Sequence, residues 1–307
     1  MMFLAACVAT PPASQEPADT GDPAQDVELA GACDSSTDLG GFTVDAYEDY
    51  TAVSGEVDDA VIPANVLTEA AAEGECALYS RDNPYCSPAC AGDEVCDTDG
   101  TCLPYPEAQD LGRVTIAGLA ARVRMDPVQP GNTYFDTDLP HPGFAPGDAI
   151  QLTTEDADFP SFTLHGYGVT ELVPTESAWT LTAGETTVLG WDAPAGDTAA
   201  AVELTLSVDQ HGATPAQLSC TFADDGSGEI PASLVTALVD AGVTGYPSGS
   251  LIRRTMDRVE LEAGCADLRV GWITRPDDVT VSGHTPCQRD EDCPDGETCD
   301  KAIETCG

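Results

Sequence analysis

Basic residues are nearly missing from this sequence. Lys and Arg together number 11 against 54 Asp and Glu, Lys301 is the one lysine, and the formal net charge is −43. A surface of that sign repels nucleic-acid phosphates and anionic headgroups, which excludes DNA, RNA and charge-driven lipid binding. Long apolar runs are absent too: no stretch reaches the roughly 18 residues a membrane-spanning helix needs. Aromatic residues make up only 6% of the chain, and there are four histidines, His141, His165, His211 and His284. Catalytic signatures are missing, with no H-E-x-x-H, no G-x-S-x-G and no Walker loop. Gly166-Tyr167-Gly168-Val169-Thr170-Glu171 begins as a dinucleotide fingerprint does, but it lacks the third glycine and no helical pattern follows it.

What is present begins with 42% apolar residues in 307, enough for real cores and for two domains of ordinary size with small appendages. Thirteen cysteines are the second feature. Leu4-Ala5-Ala6-Cys7 resembles the lipobox of bacterial lipoproteins, in which the cysteine is acylated and becomes the new N-terminus. Setting Cys7 aside leaves Cys33, Cys76, Cys86, Cys90, Cys96, Cys102, Cys220, Cys265, Cys287, Cys293, Cys299 and Cys306, an even set that can pair entirely as disulfides. An exported protein meets the oxidising compartment such pairing needs. Only six residues precede Cys7 and none is basic, so a complete signal peptide requires a start upstream of Met1. The expectation is lipid attachment at Cys7, membrane contact through that anchor only, and residence in a bacterial cell envelope. The place expected there is the outer membrane, facing the periplasm or the cell surface.

Residues 1–7 then read as the signal remnant and 8–32 as a disordered acidic tether, carrying Pro11, Pro12, Pro17 and Pro23. A β-rich domain is expected over 33–174, with a cysteine module inserted at 76–104. Pro63–Glu73 has the pattern of a short helix ended by Gly74. Strand patterns follow at 113–119, 121–125, 148–154 and 161–169, and Pro127–Pro146 reads as an ordered crossing segment. A β-sandwich is expected over 175–280, where Val202, Leu204, Leu206 and Val208 alternate strictly and 232–239 has helical spacing. A second cysteine module occupies 284–307. The fold class is mainly β: two β-sandwich-like units, the second in immunoglobulin or fibronectin style, with two small disulfide-knotted modules.

The modules are Cys86-x3-Cys90-x5-Cys96-x5-Cys102 and Cys287-x5-Cys293-x5-Cys299-x6-Cys306. Spans this short bury no core, so crosslinks must hold them. Four cysteines allow three pairings; first with third and second with fourth is expected in each, leaving Cys33 for Cys76 and Cys220 for Cys265. No C-x2-C arm is present for zinc. For calcium, Asp97-Thr98-Asp99-Gly100 brings its glycine too early, and Asp290, Glu291, Asp292 and Asp295 read as a solvated turn. The glycines set before the cysteines, with the lipobox, acidic tether and excess of arginine over lysine, resemble the inserts of large secreted lipoproteins of myxobacterial type. That resemblance covers about a quarter of the chain by these motifs. It implies export and surface display, and it carries over no catalytic residue.

The function expected is therefore a non-enzymatic display, adhesion or binding protein whose partner is an extracellular protein or a polysaccharide. No catalytic residue, metal or cofactor is expected. One alternative is a secreted hydrolase, or an accessory module of one, with its site in Pro127–Pro146 or near Asp209-Gln210-His211 and Ser219. Another is a calcium-stiffened adhesin. Asp224-Asp225-Gly226-Ser227-Gly228 reads as a hairpin turn.

Overall fold

The computed structural model describes residues 27–81, 85–195, 199–209 and 216–307. Cys7, most of the tether and His211 lie outside them. The first strands are β1 (Asp38–Ala46), β2 (Thr51–Val57), β3 (Leu67–Glu73) and β4 (Cys76–Arg81), then the short β5 (Glu94–Cys96) and β6 (Cys102–Pro104). Next come β7 (Val114–Ala117), β8 (Val123–Met125), β9 (Tyr134–Asp136), β10 (Ala149–Thr153) and β11 (Thr163–Tyr167). They are followed by β12 (Ala178–Leu181), β13 (Thr187–Gly190), β14 (Ala201–Ser207), β15 (Ala216–Ala223), β16 (Ser227–Ile230) and the helix α1 (Ala232–Ala241). The last are β17 (Ser248–Glu260), β18 (Cys265–Thr274), β19 (Asp278–Val281), β20 (Cys299–Asp300) and β21 (Thr305–Cys306).

The chain is mainly β, in several sheets. The largest has nine strands in the order β3-β4-β15-β14-β17-β18-β1-β2-β9. Its strands come from both sides of the division expected at residue 174, so that division does not separate two sheets. The cause lies in the apolar faces. Leu268, Val270 and Trp272 of β18 continue into Phe42, Val44 and Ala46 of the parallel β1, and Leu218 of β15 lies opposite Leu78 of β4. Separating the halves would expose that stripe, because all eight side chains are buried. Cys76 likewise belongs to β4 of this sheet and not to a cysteine insert.

A four-stranded sheet, β11-β10-β7-β8, meets the inner face of the large sheet through β11. There the His165 amide donates to Asp257 at 2.8 Å, and the Thr255 hydroxyl accepts from the Tyr167 amide and donates to its carbonyl, each at 3.0 Å. Gly166 serves this contact, since a Cβ there would sit 2.8 Å from Val270, whereas Gly168 makes room for the Ala145 carbonyl. Leu234, Val235 and Leu238 of α1 are buried against the same core, and Gly242 ends the helix at φ 123°.

The helix expected over Pro63–Glu73 is corrected. Only Pro63–Asn65 turns, as 3-10 helix, and Leu67–Glu73 is strand β3. The unpaired edge of β4 offers a ladder for Thr68 and its neighbours, with a bulge between Glu69 and Ala71, and tertiary pairing overrides local propensity. Within Pro127–Pro146, Tyr134–Asp136 adds one short strand to the edge of β2.

All twelve cysteines outside the lipobox form six disulfides. Within the modules the bridges are Cys86–Cys96 and Cys90–Cys102, and Cys287–Cys299 and Cys293–Cys306. In the body the pairs are Cys33–Cys265 and Cys76–Cys220, which corrects the Cys33–Cys76 and Cys220–Cys265 expected from sequence. Register decides it: Cys76 lies directly opposite Cys220 on β4 and β15, and β1 leads Cys33 to the start of β18.

Candidate functional site

His211, the histidine placed near a hydrolase site from sequence, lies outside the described residues; His141, in the Pro127–Pro146 alternative, and the remaining His165 and His284 are held in structural contacts. His141 Nδ1 shares a 3.0 Å hydrogen bond with Thr51 Oγ1, a hydroxyl 1% exposed that also accepts from the Gly143 amide. His165 faces Gln151 on one side and the Asp257 carboxylate at 3.6 Å on the other. His284 Nε2 donates to the Gly245 carbonyl at 2.7 Å, tying the C-terminal module to the body. Among the described residues no serine or cysteine side chain is hydrogen-bonded to a histidine. Ser219 sits in mid-strand in β15 with Gln217 on its hydroxyl. The sulfurs of Cys86, Cys90 and Cys96, and of Cys287, Cys293 and Cys306, cluster closely, but each is consumed in a disulfide and offers no thiolate to a metal.

The arrangement best suited to binding was not named by the sequence. β1 and β2 are joined by Tyr47-Glu48-Asp49-Tyr50, closed by the Tyr47 amide on the Tyr50 carbonyl at 2.9 Å. Their two rings stack, 4.5 Å between centroids and 15° between planes. Tyr50 is 51% exposed while Tyr47 is half-buried beside it. Across from them, Leu172–Pro174 form a second wall, and Trp272 and Ile273 of β18 form the floor of a groove of about 420 Å³. Arg275, Glu48, Asp49 and Glu171 stand at its rim.

Each wall is fixed from behind. Trp272 is backed by His141, ring centroids 5.7 Å apart, so Pro127–Pro146 braces the groove from below. The opposite wall hangs on Arg253. This side chain is 1% exposed and points inward from β17, where a charge needs full compensation. It receives it: Nε and Nη2 donate to the Asp224 carboxylate at 2.7 and 2.9 Å, Nη2 to the Asp192 carbonyl, and Nη1 to the Thr170 and Glu171 carbonyls. Trp191 Nε1 donates to the same Asp224 oxygen that Nη2 uses. Thr274 Oγ1 adds a 2.7 Å bond to the Leu172 carbonyl. Asp224, read from sequence as a turn residue, is thus the anion of a buried clasp that positions Thr170–Leu172. The legible sign was Arg253 itself, alternating inward with Leu251, Thr255 and Asp257.

Burial pushes the Tyr47 phenol up from its ordinary value, the Asp45 carboxylate and Tyr50 push the same way, and Arg275 opposes them. On the outer face of the sheet behind the groove, burial likewise raises Asp45, against the pull of Arg254 and Arg269. Among the described residues there are further concavities. One of about 390 Å³ is floored by Gly40, Gly41 and Gly55 and flanked by Phe135, 58% exposed. Another, of about 130 Å³, holds Asp58, only 8% exposed, with Glu56 and Asp38. No helix among the described residues is long and apolar enough to cross a membrane.

No family model matches the sequence, and no curated protein does. Among solved structures the chain is similar to a 1.5-MDa bacterial ice-binding adhesin studied for host cell surface retention. The two share 8% identity over 81% of this chain and 67% of that one, at a TM-score of 0.20. It is also similar to the FN1–FN3 domains of chicken CNTN1, at 10% identity over 74% and 78% with a TM-score of 0.19. A Ca2+-stabilized ice-binding adhesin of an Antarctic bacterium shares 11% identity over 85% and 76%, also at 0.19. Similarity this slight says nothing of function.

Proposed function

We propose that the protein is a non-enzymatic binding protein displayed on a bacterial cell envelope, of the myxobacterial secreted-lipoprotein type, anchored by lipid on Cys7. The groove between Tyr50 and Val173 is its ligand site. The observation that carries this reading is the groove's aromatic lining, with the Tyr47 and Tyr50 rings stacked 4.5 Å apart beside Trp272. The incoming chain is fastened along the same body: the Val27 carbonyl accepts from the Tyr167 hydroxyl, the Ala30 amide donates to Asp257, Gly31 donates to the Met256 carbonyl, Ala32 accepts from Arg258, and Cys33 is bonded to Cys265. The six disulfides use every cysteine but Cys7, which supports an export route and leaves that residue for acylation.

The test is made on cells expressing the protein from its own gene with a palmitate analogue supplied. Label is expected on the wild type and not on Cys7→Ser, with intact cells staining for the body. A product that stays unlabelled and cytoplasmic overturns the reading.

A further inference from the structure

We infer that the groove binds a neutral pyranose unit of a polysaccharide, with Tyr50 as its stacking platform and Arg275 as its principal hydrogen-bond donor. This rests on the reading of the groove as a binding site and names its ligand class. Three observations converge. The first is shape: about 420 Å³, open along one side, admits one or two sugar rings of a longer chain and does not require a free end. The second is the pairing of surfaces. A pyranose has an apolar C–H face and a rim of hydroxyls that both donate and accept. Here the exposed Tyr50 ring and the Val173 side chain, 44% exposed, supply the apolar contacts, while the Glu48, Asp49 and Glu171 carboxylates accept and Arg275 donates. Arg275 is exposed and makes no ion pair with any described residue, so its five N–H groups are available.

The third observation is charge. Three carboxylates against one arginine, on a chain of net −43, repel uronate-bearing polymers. A cationic ligand would meet Arg275 at the rim and would find its aromatic faces on one wall only, because Tyr47 and Tyr50 stack on each other and do not enclose a cage. A neutral ring satisfies both constraints. The stacked tyrosines, the His141-backed Trp272 and the wall held by Arg253 are ordered before any ligand arrives, so little ordering cost remains for binding.

Affinity electrophoresis of the full chain tests this, in native gels containing hydroxyethylcellulose, dextran or soluble starch, beside gels of glycol chitosan and of polygalacturonate. Retardation is expected from at least one of the neutral polymers, little changed by added salt. Tyr50→Ala is expected to weaken it about tenfold, Tyr50→Phe to keep it, and Arg275→Gln to weaken it several-fold. Phe135→Ala, in a separate open concavity, should leave it unchanged. Both groove side chains are at the surface, so equal melting temperatures show that the variants are folded. Retardation by glycol chitosan alone, lost in Tyr50→Ala, would overturn the neutral-sugar assignment and leave the groove as a binding site. Retardation by a neutral polymer that survives both groove substitutions would overturn the groove and leave a binding protein. No retardation in any gel overturns both.

Discussion

The nine-stranded sheet and the two cysteine modules are stabilised by different means, although both are crosslinked. The sheet body buries a continuous apolar cluster running from Leu39 to Val281, and its two disulfides close sequence separations of 232 and 144 residues. In the modules the separations are 10 to 13, and in the spans the cysteines enclose only Cys86, Cys287 and Cys299 are buried. Sulfur in the body fastens strands that hydrophobic packing already brings together. In the modules it replaces a core.

Removing one bridge from each region gives the largest expected contrast. In the chain-entropy view, closing more than two hundred residues restricts the unfolded chain by about 5 kcal/mol, and closing about a dozen by about 3 kcal/mol. Cys33→Ser with Cys265→Ser should therefore lower the melting transition of the whole body in calorimetry. Cys293→Ser with Cys306→Ser should leave that transition in place and open residues 287–306 to protease. A body transition that drops equally in both variants would show that the modules are structural parts of the sheet.

The same contrast explains what could be read from sequence. Within each module only three pairings are possible, and the one expected, first with third and second with fourth, is the one formed. The body pairings depend on which strand lies beside which, and nothing in the segment around Cys33 announces that β1 runs parallel to a strand more than two hundred residues later. Alternation located β14 because it has one buried face. β3, exposed on both faces and rich in alanine, carries no such mark and reads as helix. The groove was hidden for a related reason: Tyr50, Val173 and Arg275 come from three separate connections that only the sheet brings together.

Next in size is the clasp of Arg253 and Asp224, with relative exposures of 1% and 3%. Arg253→Met leaves a buried carboxylate without its partner and should cost about 4 kcal/mol in urea unfolding. The double variant Arg253→Met with Asp224→Leu should recover most of that. Because Arg253 touches no groove surface but holds the Thr170 and Glu171 carbonyls, the double variant should still weaken ligand binding. Recovery of stability together with full binding would deny the clasp its positioning part.

The smallest effect is set by pH, and it has opposite signs in the two regions. In the body, Asp58 is pushed up to about 6 by burial first, and then by Glu56 and Asp59. An acid whose folded value lies above its unfolded one binds its proton more readily in the folded state, so stability falls as pH rises from about 4 to about 6 and the penalty persists above. Asp58→Asn removes the charge and should stabilise the body by about 1 kcal/mol at neutral pH, a figure kept well below the full shift because water screens the neighbouring carboxylates. At pH 3.5 the substitution should gain nothing. In the modules, Asp99 is held below its ordinary value by the Thr101 hydroxyl and amide, and Asp292 by the Gln288 and Arg289 amides. Those bonds contribute stability above the ordinary carboxylate value that is lost as pH falls through the depressed ones. Hydrogen exchange compared at pH 7, pH 4 and pH 2.5 should show the sheet around Asp58 tightening already at pH 4, and the module amides loosening only on the further step to pH 2.5. Parallel loosening of both regions would mean that Asp58 is not held in the buried acidic pocket.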